Sequence, residues 1–173
     1  SPGRIWLERE DGERRDLWVS GTGAVPLPPG DWDWVVSRGY EYAWDTGSVS
    51  IPDDGVGDIA PVLVQMLDTS GWMSADTHVH SSDSPDSDIS PADQLRHAAA
   101  HGLEIVIHTE HEAIVDRSTV PGESGLDAWV NNVVGEEVTS ITIEHMTMFP
   151  AVPDGTPRGA PVYWYGLDID ALF

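Results

Sequence analysis

Two histidines separated by one residue, His78 and His80, follow Asp76 in a short stretch that predicts a β-strand. Side chains two positions apart on a strand point to the same face, so the two imidazoles and the carboxylate would lie together. Neutral imidazole is the commonest protein ligand for metal ions, and a neighbouring carboxylate can bind as well or fix the tautomer of the ring. The spacing therefore indicates a metal site at the end of this strand.

Further acidic and histidine side chains occur near the ends of later predicted strands. Because functional residues gather at the carboxyl ends of parallel strands, we predict that these side chains join the first two histidines in one metal cluster. The alternative interpretation is a set of surface histidines on acidic loops. The residues concerned are Asp83, Asp86, His111, Glu137 and His145.

Three other histidines are interpreted differently. His97 and His101 are four positions apart on a predicted helix, where they are neighbours. They could chelate an ion, but exposed side chains are the favoured interpretation. His108 is predicted to point away from the site, although strand alternation does not settle its role.

The composition limits the classes of partner. The chain has 30 acidic and 8 basic residues and a net charge of −22, which argues against binding to nucleic acid or to anionic lipid. It has no cysteine, so any metal must be held by nitrogen and oxygen ligands, which suits Zn, Mn or Fe. No apolar run approaches the roughly 20 residues of a membrane span.

The pattern of the chain changes near residue 70. Residues 1–70 contain short alternating strands and most of the tryptophans, which predicts a β-rich domain with an aromatic core. Residues 71–173 begin with a strand, a helix starting at Ser90, and a buried strand at 103–108, which is the order of a parallel βαβ unit. We therefore predict two domains, 1–70 and 71–173, the second of α/β class.

Four segments of the second domain resemble the polymerase and histidinol phosphatase (PHP) superfamily, in particular its CehA/McbA branch of metallohydrolases. The resemblance covers about residues 68–173, and the β segment before it resembles a transthyretin-like or carboxypeptidase-regulatory-like domain. The segments are Trp72-Met-Ser-Ala-Asp-Thr-His-Val-His-Ser81, His108-Thr-Glu-His111, Gly135-Glu-Glu-Val-Thr139 and Glu144-His145.

The resemblance implies a partial, distorted (β/α)7 barrel preceded by a small β-sandwich-like domain. It also implies two or three divalent metal ions, with His78, His80 and Glu137 at the catalytic centre. The first ion would be bound by those three residues; Glu137 would bridge to a second ion with His145, and a third would lie between Asp86 and His111. Glu110 stands where the family usually has Asp, so its role is open.

The implied activity is metal-dependent hydrolysis of a small-molecule phosphoester, carbamate or ester. The family's later His and final Asp-x-His have no counterpart after His145. We therefore expect the chain to be truncated, or a second chain to complete the barrel. The alternatives are a non-catalytic or degenerate binding module, and a calcium module using Asp83, Asp86 and Asp88. By analogy with the preceding β domain, an exported protein is slightly favoured.

Overall fold

The structure is a computed structural model that describes residues 1–140, 144–166 and 170. Over these residues the chain forms eight strands and two helices, arranged in two four-stranded sheets. The chain divides into two compact units, Ser1–Met73 with Arg96–Leu103, and Ser74–Leu95 with Glu104–Phe173. The predicted domains, 1–70 and 71–173, stay a prediction.

The sheet of the first unit is antiparallel throughout, with the order β2-β1-β3-β4. Its strands are β1 (Pro2–Arg9), β2 (Arg14–Ser20), β3 (Gly30–Ser37) and β4 (Asp45–Ile51). The turn between β1 and β2 contains Gly12 at φ 86°, a left-handed conformation that only glycine adopts without strain.

One face of this sheet forms a small hydrophobic core around Trp32. Its other fully buried members are Ile5, Leu7 and Val36. Trp32 is completely inaccessible to solvent, and its indole Nε1 donates a hydrogen bond of 3.0 Å to the carbonyl oxygen of Pro28. The ring therefore contributes both apolar burial and a satisfied polar group.

We expect Trp32→Ala to lower the free energy of unfolding of the first unit by about 3–5 kcal/mol, because it leaves a cavity in a close-packed core. Urea denaturation followed by far-ultraviolet circular dichroism measures this loss. Trp44→Ala is the matched control, since the Trp44 side chain is 71% exposed. Equal denaturation midpoints for the two variants would contradict the assignment of this core.

The sheet of the second unit has the order β5-β6-β7-β8. Its strands are β5 (Ala75–Val79), β6 (Ile105–His111), β7 (Asn131–Val138) and β8 (Met146–Met148). The first three strands are parallel, and β8 is antiparallel to β7. The carboxyl ends of β5, β6 and β7 therefore lie at one edge of the sheet.

The two helices are α1 (Pro91–Ala100) and α2 (Val120–Glu123). At the start of α1, the Ser90 hydroxyl accepts a hydrogen bond of 3.1 Å from the Asp93 amide, which is the usual N-cap interaction. Pro91 occupies the first helical position, where its missing N–H costs nothing. After α1, Gly102 adopts φ 79° and ends the helix.

The predicted (β/α)7 barrel is wrong, and the described part of the chain is mainly β. A barrel of that kind needs a helix after each parallel strand. Here α1 connects β5 to β6, but only the four-residue α2 lies between β6 and β7, and β8 then returns antiparallel. The predicted β-sandwich-like first domain is likewise one antiparallel sheet in the described residues.

The described residues contain no helix long and apolar enough to cross a membrane. The longer of the two helices, α1, has 10 residues, about half the length of a membrane span.

Candidate metal centre

The candidate site is built at the shared edge of the parallel strands in the second unit. His78 lies in β5 and His80 follows directly after it, while His111 is the last residue of β6. The parallel register pairs His111 with Glu137 of β7. Adjacent strands therefore deliver imidazoles and a carboxylate to one place, as their positions at strand ends predicted.

The carboxylate of Glu137 is the centre of this cluster, and it is buried. Its Oε2 lies 3.2 Å from Nε2 of His78, 3.1 Å from Nε2 of His80 and 3.3 Å from Nδ1 of His111. Its Oε1 lies 2.7 Å from Nδ1 of His145. Both oxygens of one carboxylate thus face imidazole nitrogens.

Oε2 of Glu137 has no hydrogen-bond partner among the described residues, although three nitrogens lie within ion-pair distance. A buried acceptor left unpaired costs free energy, so its surroundings suit a cation better than a hydrogen bond. Metal–ligand bonds of about 2.0–2.1 Å at a tetrahedral ion place neighbouring ligand atoms about 3.3–3.4 Å apart. The distances from Oε2 to His78 and His80 are close to that spacing.

A second group of possible ligands forms around Asp86, in the loop after β5. Its Oδ2 lies 3.2 Å from Nε2 of His111, and its Oδ1 lies 3.8 Å from Nδ1 of His80. The hydrogen bond with His111 lowers the pKa of Asp86, against a smaller opposing effect of desolvation. Asp86 is therefore held as a carboxylate, the form that binds metal.

Two sets of side chains are close enough to hold a metal ion: His78 with His80 and Glu137, and His80 with Asp86 and His111. His145 adds a nitrogen beside the other oxygen of Glu137. The structure thus brings all six predicted metal residues into one cluster, although their action as ligands stays a prediction.

Other residues singled out in the sequence lie apart from these two sets. His108 is buried with Nδ1 2.5 Å from Oδ1 of Asn132, and burial lowers its pKa. Glu136 accepts a hydrogen bond of 2.8 Å from the Val162 amide, and desolvation raises its pKa to about 7. Asp76 is exposed and accepts from the amide of His78 at 3.2 Å.

A buried ion pair between Arg117 and Glu110 was missed by the sequence reasoning. The side chain of Arg117 is only 3% exposed, and its Nη1 lies 3.2 Å from Oε1 of Glu110. Its Nη2 pairs with Asp83. Desolvation lowers the pKa of Arg117 to about 10, so the guanidinium remains charged near neutral pH. The only indication of this pair in the sequence was Glu110, at a position where the family that the segment resembles usually has Asp.

Comparison of the chain with protein-family models, with curated proteins and with solved structures found no match. The interpretation of the site therefore depends on its geometry and on the chemistry of its side chains.

Proposed function

We propose that this protein is a metal-dependent hydrolase that activates water against a small-molecule substrate. The observation that carries the proposal is the convergence of imidazole nitrogens on the buried, unpaired Oε2 of Glu137. A cation at this point would bind the unpaired carboxylate oxygen of Glu137 and the imidazole nitrogens that surround it. The donor set, imidazole nitrogens and carboxylate oxygens without thiolate, suits Zn, Mn or Fe.

We assign the ligands to two or three ion positions. The first position is formed by His78, His80 and Oε2 of Glu137. The second combines Oε1 of Glu137 with His145, so that the carboxylate bridges the two. The third lies between Asp86 and His111. This distribution follows the pairing of nearest atoms in the cluster.

The charge and exposure of the first position suit hydrolysis. A divalent cation bound there would acidify a coordinated water and polarise the bond to be cleaved. One carboxylate and two neutral imidazoles would leave a net positive charge at the position, which favours a developing oxyanion. The His78 and His145 side chains are 49% and 54% exposed, so a substrate can reach this side of the cluster.

The substrate class stays open between a phosphoester and a carbamate or ester. Both arginines of the second unit are bonded within the protein. Arg117 pairs with Glu110 and Asp83, and Arg158 donates to the carbonyl oxygens of His111 and Glu112. The phosphoryl oxygens of a phosphoester would therefore have to be bound by the metal ions themselves.

Metal content tests the proposal directly. We expect purified wild-type protein to contain at least one Zn, Mn or Fe per chain by elemental analysis, and His78→Ala to lose about one of them. His97→Ala is the matched control, because His97 is exposed and lies on α1. Wild-type protein that stays metal-free after incubation with each ion would refute the proposal.

A non-catalytic metal-binding module is the second candidate, and the fold favours it. The described residues form a mainly β structure and not the barrel that the resemblance to metallohydrolases implied. Hydrolysis of nitrophenyl phosphate, acetate and carbamate esters by the metal-loaded protein separates the two candidates. Turnover that His78→Ala abolishes supports the enzyme, and metal binding without turnover supports the module.

A further inference from the structure

The turn that follows β6 has a left-handed backbone at a residue that is not glycine. Glu112 adopts φ 42° and Ala160 adopts φ 56°, and these are the two such residues in the part of the chain that the structure describes. A side chain in this conformation is strained, and the strain persists only where surrounding contacts hold it. Glu112 comes directly after His111, one of the proposed ligands, so the contacts of Glu112 bear on the candidate metal centre.

Glu112 makes two contacts with the end of β7. Its amide donates a hydrogen bond of 3.0 Å to the carbonyl oxygen of Glu137. Its carboxylate Oε1 accepts a hydrogen bond of 3.0 Å from the amide of Thr139. The first contact continues the parallel ladder in which His111 pairs with Glu137, and the second requires an acceptor on the side chain. Glu112 therefore holds the end of β7 through both its main chain and its side chain.

Thr139 extends this restraint to the imidazole ring of His111. The Oγ1 of Thr139 lies 2.5 Å from Nδ1 of that ring, and its amide is the group that Glu112 binds. A shift of the main chain at Thr139 would therefore displace a hydroxyl group that contacts the ring. The position of the imidazole depends on this hydroxyl as well as on the main chain of His111 itself.

Two side chains from a later segment hold the turn in place. Arg158 donates through Nε to the carbonyl oxygen of Glu112 at 2.8 Å and through Nη2 to that of His111 at 2.6 Å. A guanidinium suits two neighbouring acceptors because its donors form a rigid fork. The indole Nε1 of Trp164 donates to Oε1 of Glu112 at 3.3 Å. The strained residue is thus bonded at its amide, its carbonyl and its side chain.

We propose that Glu112 and Arg158 are positioning residues that fix the imidazole of His111 relative to the carboxylate of Glu137. Nδ1 of His111 lies 3.3 Å from Oε2 of Glu137. In the proposed function, on which this inference rests, the two residues belong to different ion positions. Glu112 and Arg158 would therefore set the spacing between the third position and the first two. The role requires an acceptor oxygen at residue 112 and the donor fork of Arg158, and it does not depend on the charge of any ligand.

Glu112→Gly separates the side-chain contacts from the strained backbone. Glycine adopts the observed φ of 42° without strain, so this variant should fold, but the acceptor for Thr139 and Trp164 is lost. Glu112→Gln keeps an acceptor oxygen on a side chain of the same shape and should behave as wild type. Glu10→Gly is the matched control, because Glu10 is exposed in the turn between β1 and β2.

Crystal structures of the metal-free proteins test the positioning directly. We expect the distance between Nδ1 of His111 and Oε2 of Glu137 to stay near 3.3 Å in wild type, Glu112→Gln and Glu10→Gly. In Glu112→Gly the distance should exceed about 4 Å, the limit of an ion pair. An unchanged distance in Glu112→Gly would overturn the proposal, and so would an equal displacement in Glu112→Gln.

Metal binding provides the second measurement, with Arg158→Met as a further variant. Affinity for Zn²⁺, measured by chelator competition, should fall about 10- to 100-fold in Glu112→Gly and in Arg158→Met, as for the loss of other groups that orient metal ligands. The visible absorption spectrum of bound Co²⁺ reports the coordination geometry. It should change in both variants and keep its wild-type form in Glu112→Gln. A turn that only stabilised the fold would lower resistance to urea without altering this spectrum.

The two measurements separate failure of this inference from failure of the proposed function. Wild-type protein that binds no ion would refute the function, whereas a displaced imidazole in metal-free Glu112→Gly would still support the positioning role. Metal binding by wild type, together with an unchanged distance and an unchanged Co²⁺ spectrum in Glu112→Gly, would refute the positioning role alone.

Discussion

Glu137→Gln is expected to empty the first and second ion positions together, whereas His78→Ala should empty only the first and His111→Ala only the third. Glu137 contributes one oxygen near His78 and His80 and the other near His145. A carboxamide keeps the shape of the side chain but loses its charge and one acceptor. We expect the affinity for Zn²⁺ to fall by more than about 100-fold, which exceeds the usual effect of losing a residue that only hydrogen-bonds to a metal ligand. Any hydrolysis should fall to the background rate.

Elemental analysis and calorimetric titration with Zn²⁺ measure this loss. Glu136→Gln is the matched control, because Glu136 is the neighbouring buried carboxylate and bonds instead to the Val162 amide. The metal-free Glu137→Gln protein should be at least as stable as metal-free wild type, since it no longer buries an unpaired charge. Full metal content in folded Glu137→Gln would refute the bridging role.

The positions of His78, His80, His111 and Glu137 could be predicted because they depend on strand alternation and on the edge that parallel strands share. Alternation at the end of β5 relates His78 to His80, and the carboxyl ends of parallel strands meet at one edge. The pairing of His111 with Glu137 across β6 and β7 is the direct result. Chain order and strand ends were sufficient to bring these residues together.

The arrangement of the strands could not be predicted with the same success. The aromatic residues of the segment 40–44 are typical of a strand, but the strand is β4, at Asp45–Ile51, and Tyr42 forms only an isolated bridge to Gln65. The barrel was inferred from family resemblance. The antiparallel pairing of β8 with β7 depends on long-range contacts, which the local sequence pattern does not encode.

The buried ion pair of Arg117 and Glu110 was also beyond the sequence. An isolated arginine is usually exposed, and nothing in its spacing from Glu110 predicts burial. The hydroxyl groups of Ser81 and Ser84, in the loop after β5, donate hydrogen bonds to the carboxylate of Glu110 and hold it in place. Its consequence for stability is the second large effect that we expect.

Arg117→Met should lower the free energy of unfolding of the metal-free protein by about 3–5 kcal/mol, because removing one partner leaves a buried charge uncompensated. The charge that remains is Glu110, which is 1% exposed. Urea denaturation of wild type and variant, both treated with chelator, measures the loss without any contribution from bound ions. Arg14→Met is the control, since Arg14 forms an ion pair with Glu8 in which its side chain is 75% exposed, and such pairs contribute little.

Glu110→Gln on the background of Arg117→Met should recover much of that stability, because it removes the uncompensated charge and keeps an acceptor for the two serine hydroxyls. If Arg117→Met unfolds no more readily than Arg14→Met, or if the double variant recovers no stability, the buried pair is not a determinant of stability.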